Sequence, residues 1–110
     1  MISSDVIRGH VDTIILKLLL EKEMYGYEIA SVIKERTHNK FNIKEATLYS
    51  VVSRLEAREL ITSYVGEKTH GGKRRYYKVT PLGRAYYKEL LEEWKMLREI
   101  MFDMLGSDNS

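Results

Sequence analysis

The sequence predicts a mainly α-helical fold with one two-stranded β-ribbon and a long helix at its C-terminal end. Three observations predict it. Apolar residues recur at helical spacing in three stretches before residue 60. Residues 61–80 then change to β-branched and aromatic residues on either side of a Gly-Gly pair. From Pro81 to Leu105 the helical period returns, with no proline or glycine after Gly83.

The first stretch begins at Ser3 or Ser4, either of which suits the N-cap of a helix, and Asp5 places a carboxylate at its positive end. One continuous helix is expected from there to about Glu21. Val11, Ile14, Ile15 and Leu18 make its core stripe, while Ile7, Leu16, Leu19 and Leu20 carry apolar surface further round the cylinder. A helix apolar over so wide an arc in a small domain calls for a second interface, with another subunit as the natural source.

Glu21-Lys22-Glu23-Met24 reads as a charged turn, and Tyr25-Gly26-Tyr27 as the opening of a second helix, with Gly26 at a point where a side chain has no room. Its stripe is Ile29, Ala30, Val32 and Ile33. Thr37-His38-Asn39-Lys40 is a polar linker, after which Phe41 and Ile43 pin the chain to the core. The third helix starts near Glu45 and runs to about Arg58. Leu48, Val51, Val52 and Leu55 share its inner face at i, i+3, i+4 and i+7. Ala46, Ser50, Ser53 and Ala57 lie opposite, flanked by Tyr49 and Arg54. Small residues edged by hydroxyls suit a helix lying in a DNA major groove, and they would equally suit a helix buried on both sides.

Ile61–Lys68 and Arg75–Thr80 are expected as antiparallel strands around Thr69-His70-Gly71-Gly72-Lys73, whose glycines supply the positive φ angles of a hairpin loop. Thr80 then caps the last helix, with Pro81 at its first position, where a missing N–H costs nothing. Within that helix Leu90, Trp94, Leu97, Met101 and Met104 alternate steps of four and three, the spacing of a coiled-coil seam. A helix this long exceeds what the domain needs for its own core, so dimerisation is inferred. Helix, helix, helix, ribbon and long helix make a winged helix-turn-helix domain over 1–80, a dimerisation helix over 81–106 and a polar tail over 107–110.

Composition narrows the function. The chain has 110 residues, 44% of them hydrophobic, enough for a single core. It has no cysteine, which rules out disulfides and thiolate metal sites and fits a cytoplasmic protein. His10, His38 and His70 are dispersed, so no metal and no cofactor is expected. Val11 to Leu20 is too short to span a membrane, and no cleavable signal is expected before it. No nucleophile motif, phosphate loop or acidic pair with catalytic spacing is present, so the chain is not expected to be an enzyme. The formal net charge is only +2, but it is unevenly spread: residues 61–79 carry Lys68, Lys73, Arg74, Arg75 and Lys78 against Glu67 alone. That local excess is the footprint expected for phosphate, although an edge hairpin also gains from Lys and Arg that discourage aggregation.

Several short motifs, taken in order, carry a resemblance to a known family. Tyr25-Gly26-Tyr27-Glu28-Ile29, Ala46-Thr47-Leu48-Tyr49 with Leu55-Glu56, and Gly71-Gly72-Lys73-Arg74-Arg75-Tyr76-Tyr77 leading to Thr80-Pro81-Leu82-Gly83 together resemble the PadR-like transcriptional regulators. The likeness covers roughly residues 6–105 and is to the compact branch, in which one C-terminal helix replaces a larger domain. It implies a homodimeric repressor on a pseudo-palindromic double-stranded DNA operator, responsive to a small-molecule effector. The candidate DNA-binding residues are Lys44, Ala46, Thr47, Tyr49, Ser50, Ser53, Arg54, Lys73, Arg74 and Arg75.

The resemblance also implies a ligand space at the dimer centre where planar aromatic molecules stack on a tryptophan, here Trp94. The matching positions are Val6, Gly9 and Thr13 on the first helix, and Leu91 and Arg98 beside Trp94 on the last. Arg98 departs from the family pattern and would favour anionic or hydrogen-bonding ligands over cationic ones. Trp94 fits two roles at this point, ligand platform or plain filler of the seam. The alternative to the whole reading is a winged helix used as a protein-interaction module without DNA binding, which would have no need of positive charge gathered in the ribbon.

Overall fold

A computed structural model describes residues 2–66 and 72–106. Helix α1 (Ser4–Ile7) is capped by Ser3, whose hydroxyl accepts from the Val6 N–H. A 3-10 turn over Arg8–His10 separates it from α2 (Val11–Glu21). The single continuous helix expected over 5–21 is therefore interrupted. Gly9 sits at the middle of the interruption, and glycine is the least helix-favouring residue after proline.

The width of the apolar arc on α2 has a different outcome from the one expected. Ile15, Leu16, Leu18 and Leu19 are all buried within the one chain, because α4, β3 and the start of α5 pack around the helix from several sides. This helix lies through the centre of the domain. Its apolar excess is consumed there and gives no argument for a second subunit.

Met24, placed in a charged turn by the sequence reading, and Tyr25, placed at the opening of the second helix, form a short strand β1 that runs straight into α3 (Gly26–Arg36). Two residues are too few to show the alternation by which a strand is recognised. Helix α4 follows over Glu45–Ala57, then β2 (Ile61–Val65), β3 (Arg75–Val79) and α5 (Pro81–Leu105). The ribbon thus gains a third member, in the antiparallel order β1-β3-β2, with Tyr25 and Tyr64 both opposite Tyr76 and with Met24 and Ser63 both opposite Tyr77. Alternation along the strands puts the first set of side chains on the outer face and turns Tyr77 inward, where it is buried. Gly72 has φ 125°, the conformation expected of the loop glycine, while Glu67 to Gly71 and the expected tail over 107–110 lie outside the described residues.

Three local devices fasten the connections. The Thr37 hydroxyl donates to the Ile33 carbonyl and accepts from the Phe41 N–H, so the end of α3 and the start of the linker share one group. Thr80 caps α5 by accepting from the Gly83 N–H, and its own hydroxyl donates back to the Glu59 carbonyl. Gly83 itself is buried against the turn after α4, where an added Cβ would lie 1.9 Å from the Leu60 carbonyl oxygen. The first turns of α5 are thereby built into the head, with Tyr86, Tyr87 and Leu90 packed on its core.

Beyond Leu91 the helix leaves the head. Every residue from Glu92 to Gly106 is exposed, and the projecting helix stretches the molecule to 52 Å along its longest axis. Among the described residues no helix is long and apolar enough to cross a membrane.

Candidate nucleic-acid interface

Helix α4 presents the predicted two faces. Leu48, Val51, Val52 and Leu55 are buried, and Ala46, Ser50, Ser53 and Ala57 are exposed with no charge among them. The spacing alone dictates this division, since 100° per residue sends the two sets to opposite sides. Each flank of the exposed face borders a concavity.

On one flank lies an open groove of about 670 Å³ between α4, the start of α3 and the ribbon. Tyr49 reaches across it to Gly26, where a Cβ would sit 2.6 Å from the phenol oxygen. That contact is the physical reason for glycine at this position. Lys73, Arg74 and Arg75 close the opposite side, and Tyr27, 75% exposed, stands at the mouth. The sequence reading named the basic residues and Tyr49 but not Tyr25 or Tyr27. The one available signal was the placing of Gly26 between two tyrosines.

Two of the ribbon's basic side chains, Arg74 and Arg75, are held rather than loose. Arg74 lies over the Tyr25 ring, its guanidinium carbon 4.4 Å from the centroid, and Tyr25 in turn meets Tyr76 edge-on at 5.5 Å. Tyr64 stacks on the other side of Tyr76 at 5.7 Å. Gly66 makes room for this row, because a Cβ there would collide with the Tyr76 ring. Arg75 points to the inner side and donates to the Ser63 hydroxyl at 3.0 Å, while that hydroxyl donates to Glu56 at the end of α4. The hydrogen bond from Tyr64 to Glu23 raises the Tyr64 phenol above its ordinary value, and burial does the same to Tyr77. Neither tyrosine is set up to ionise near neutral pH.

On the other flank Lys44, Thr47 and Arg54 border a separate pocket beneath the N-terminal segment. The Arg54 guanidinium makes two parallel hydrogen bonds to Asp12 of α2, at 2.7 and 2.8 Å. The bond to Asp12 also holds the Arg54 pKa above its ordinary value. A base contact by Arg54 would have to share the guanidinium with Asp12. In this arrangement it ties the outer flank of α4 to the central helix and orients α4. Sequence spacing could not show this, because Asp12 and Arg54 are distant in the chain and pair only once α2 and α4 are packed.

The residues expected around the effector fall on different elements. Val6 and Gly9 are exposed on α1 and the 3-10 turn, and Thr13 is half-buried on α2. On α5, Leu91 is half-buried and Trp94 is 40% exposed, with the Arg98 guanidinium carbon 5.0 Å from the Trp94 ring centroid. Of the expected seam, Leu90 is spent on the head's own core, while Trp94, Leu97, Met101 and Met104 are exposed. Ile100 joins the exposed set, a member that the strict heptad reading passed over.

Comparison with known proteins agrees with this architecture. The model of the transcriptional regulator PadR-like family matches residues 15–89. An uncharacterized protein X of Lysinibacillus sphaericus is 56% identical over 101 residues, covering 92% of this chain and 93% of its own. Among solved structures, a transcriptional regulator from Clostridium thermocellum shares 49% identity at a TM-score of 0.88, covering 96% of this chain and all of the other. A PadR family transcription regulator from Clostridium difficile shares 35% at a TM-score of 0.77, over 89% of this chain and all of the other. The fold and the exposed face of α4 define a winged-helix regulator. The chain belongs to the PadR-like family of transcriptional regulators, which are not enzymes.

Proposed function

We propose that this protein is a cytoplasmic, homodimeric repressor that binds a pseudo-palindromic DNA operator through α4 and the ribbon, and that a small molecule modulates its grip. The observation that carries the reading is the uncharged, small-residue face of α4 standing beside a groove closed by Lys73, Arg74 and Arg75. A major groove about 12 Å wide admits such a helix, with Ala46, Thr47, Ser50 and Ser53 at base edges. The ribbon's cations then meet the neighbouring phosphates, joined by Lys44 at the start of α4. Residues 1–80 serve as the DNA-binding domain and 81–106 as the dimerisation helix in this reading.

Two copies are required because operator half-sites lie roughly 34–36 Å apart and one head spans only one of them. The apolar, exposed half of α5 supports the pairing, with Trp94, Leu97, Met101 and Met104 turned to the second copy. An effector site at the dimer centre rests on Trp94, flanked by Val6, Gly9, Thr13, Leu91 and Arg98. Arg98 already lies on the Trp94 ring. A planar aromatic effector must therefore displace that guanidinium or use the other ring face, and an anionic group on the effector would gain from it. Such a ligand acts only through a difference in its affinity for the DNA-bound and released arrangements.

The test is operator binding as a function of salt. Each phosphate contact contributes close to one unit to the slope of log affinity against log salt, so the wild type should show a steep slope. Replacing Arg74 and Arg75 with Ala should flatten it by about two units per head and weaken binding to all sequences alike. An unchanged slope would remove the ribbon from the phosphates. Absence of DNA binding at low salt would favour the protein-interaction module instead.

A further inference from the structure

The pocket on the Arg54 flank of α4 is not used by the reading above and is separate from the Trp94 face of α5. It has a volume of about 360 Å³ and lies between the N-terminal segment, the linker after α3 and the first half of α4. Its floor is apolar and mostly aliphatic: Val11, Phe41 and Val51 are buried there, and Ile7 and Ile43 are half-buried beside them. Its rim carries Arg8, Lys44 and Arg54. Asp5 pairs with Arg8 and Asp12 with Arg54, which leaves one positive charge in excess at the opening. Asp12 takes only two of the N–H bonds of Arg54, so the guanidinium retains donors for a second carboxylate.

We propose that this pocket binds a medium-chain aliphatic monocarboxylate, with its chain on the floor and its head group at the Lys44 side of the rim. The volume lies at the small end of the range for ligand pockets, roughly 300–1,000 Å³. At the ~30 Å³ that liquid water allots each molecule, it holds about a dozen non-hydrogen atoms, and octanoate has about ten. Branched side chains with a single ring among them offer little stacking surface, so a flexible aliphatic chain fits the floor better than a flat ring system. The cationic rim selects an anion over the corresponding alcohol.

A ligand here would also act on DNA binding, an effect that rests on the proposed function. Lys44 and Thr47 border the pocket and belong to the start of α4. A carboxylate on Lys44 withdraws one cation from the phosphates, which should lower operator affinity and reduce the salt slope by about one unit per head.

The experiment titrates octanoate into the DNA-free protein by calorimetry, with amide NMR shifts to locate it, so that its outcome does not depend on DNA binding. Saturable binding of one octanoate per chain is expected, with shifts centred on Ile43, Thr47 and Val51. Octanol should bind at least about tenfold more weakly, the order of one lost charge-assisted hydrogen bond, and Lys44→Gln should weaken octanoate by a similar factor. Ile7→Trp, which fills the pocket from the edge of its floor, should abolish binding. Lys44 is exposed, so the Lys44→Gln result stands even where Ile7→Trp fails to fold. Equal binding of octanol and octanoate, or shifts confined to residues 94–105 of α5, would overturn the proposal. So would undiminished octanoate binding in the folded Ile7→Trp variant.

Discussion

In α2, Ile15, Leu16, Leu18 and Leu19 are buried within one chain, whereas in the second half of α5 Trp94, Leu97, Ile100 and Met101 remain 40–48% exposed. Both helices are apolar over more than a narrow stripe, and their surroundings differ because of where they lie in the fold. The sheet, α4 and the start of α5 close around α2. Among the described residues, those of α5 past Leu91 are all exposed. Apolar excess on a helix is therefore a sign of a partner only after the chain's own elements have been counted. Here the excess left exposed lies at the end of α5 and not on α2.

The sharpest way to break this contrast is to charge the projecting half. Leu97→Asp would place a carboxylate in the proposed seam, where burial without a partner costs several kcal/mol. Sedimentation should show monomers that keep helical circular dichroism, since Leu97 is exposed on the projecting half of α5, and DNA binding should fall sharply. A folded Leu97→Asp dimer would place the interface elsewhere. The complementary change in the head is Gly83→Ala. Its Cβ would meet the Leu60 carbonyl oxygen at 1.9 Å, so α5 must shift off the head. A loss of about 3 kcal/mol or more is expected in urea denaturation, at or beyond the upper end of ordinary overpacking. A neutral result would show that the joint between α5 and the head is loose.

The smallest effect concerns the ion pairs that frame the head. Hydrogen bonds from Arg36 and then Lys17 lower the Glu21 pKa from 4.5 to about 2. Because the folded value is the lower one, the contribution is fully present above pH 4.5 and is lost as pH falls through about 2. The group lies at the surface, where solvent screens its ion pairs, so the effect is slight. Comparing wild type with Glu21→Gln in urea, the difference in midpoint should shrink between pH 4.5 and 2.5. A difference independent of pH would mean that Glu21 acts through packing alone.

Much of this was legible from residue order. The helical periods of α3, α4 and α5 and the Thr80-Pro81 start are local, and each appears in the structure where local rules place it. What escaped was relational. The strand at Met24-Tyr25 exists only because Tyr76 and Tyr77 lie beside it. The Asp12–Arg54 pair depends on the packing of two helices, and the burial of Leu16 and Leu19 depends on what surrounds α2. Among the candidate site residues, the small outer face of α4 and the basic ribbon were readable because composition marks them. The pairing of Arg54 with Asp12 was not, because a guanidinium on a reading helix and one tied to a carboxylate look the same in sequence.

The most direct measurement is the mass of the DNA-free protein at micromolar concentration by sedimentation equilibrium. If a second copy covers the exposed half of α5, the mass should be twice the 12.9 kDa of one chain and should return to that of one chain in Leu97→Asp. A wild-type mass of 12.9 kDa would contradict the assignment of α5 as the dimerisation helix and, with it, the reading of a two-headed repressor.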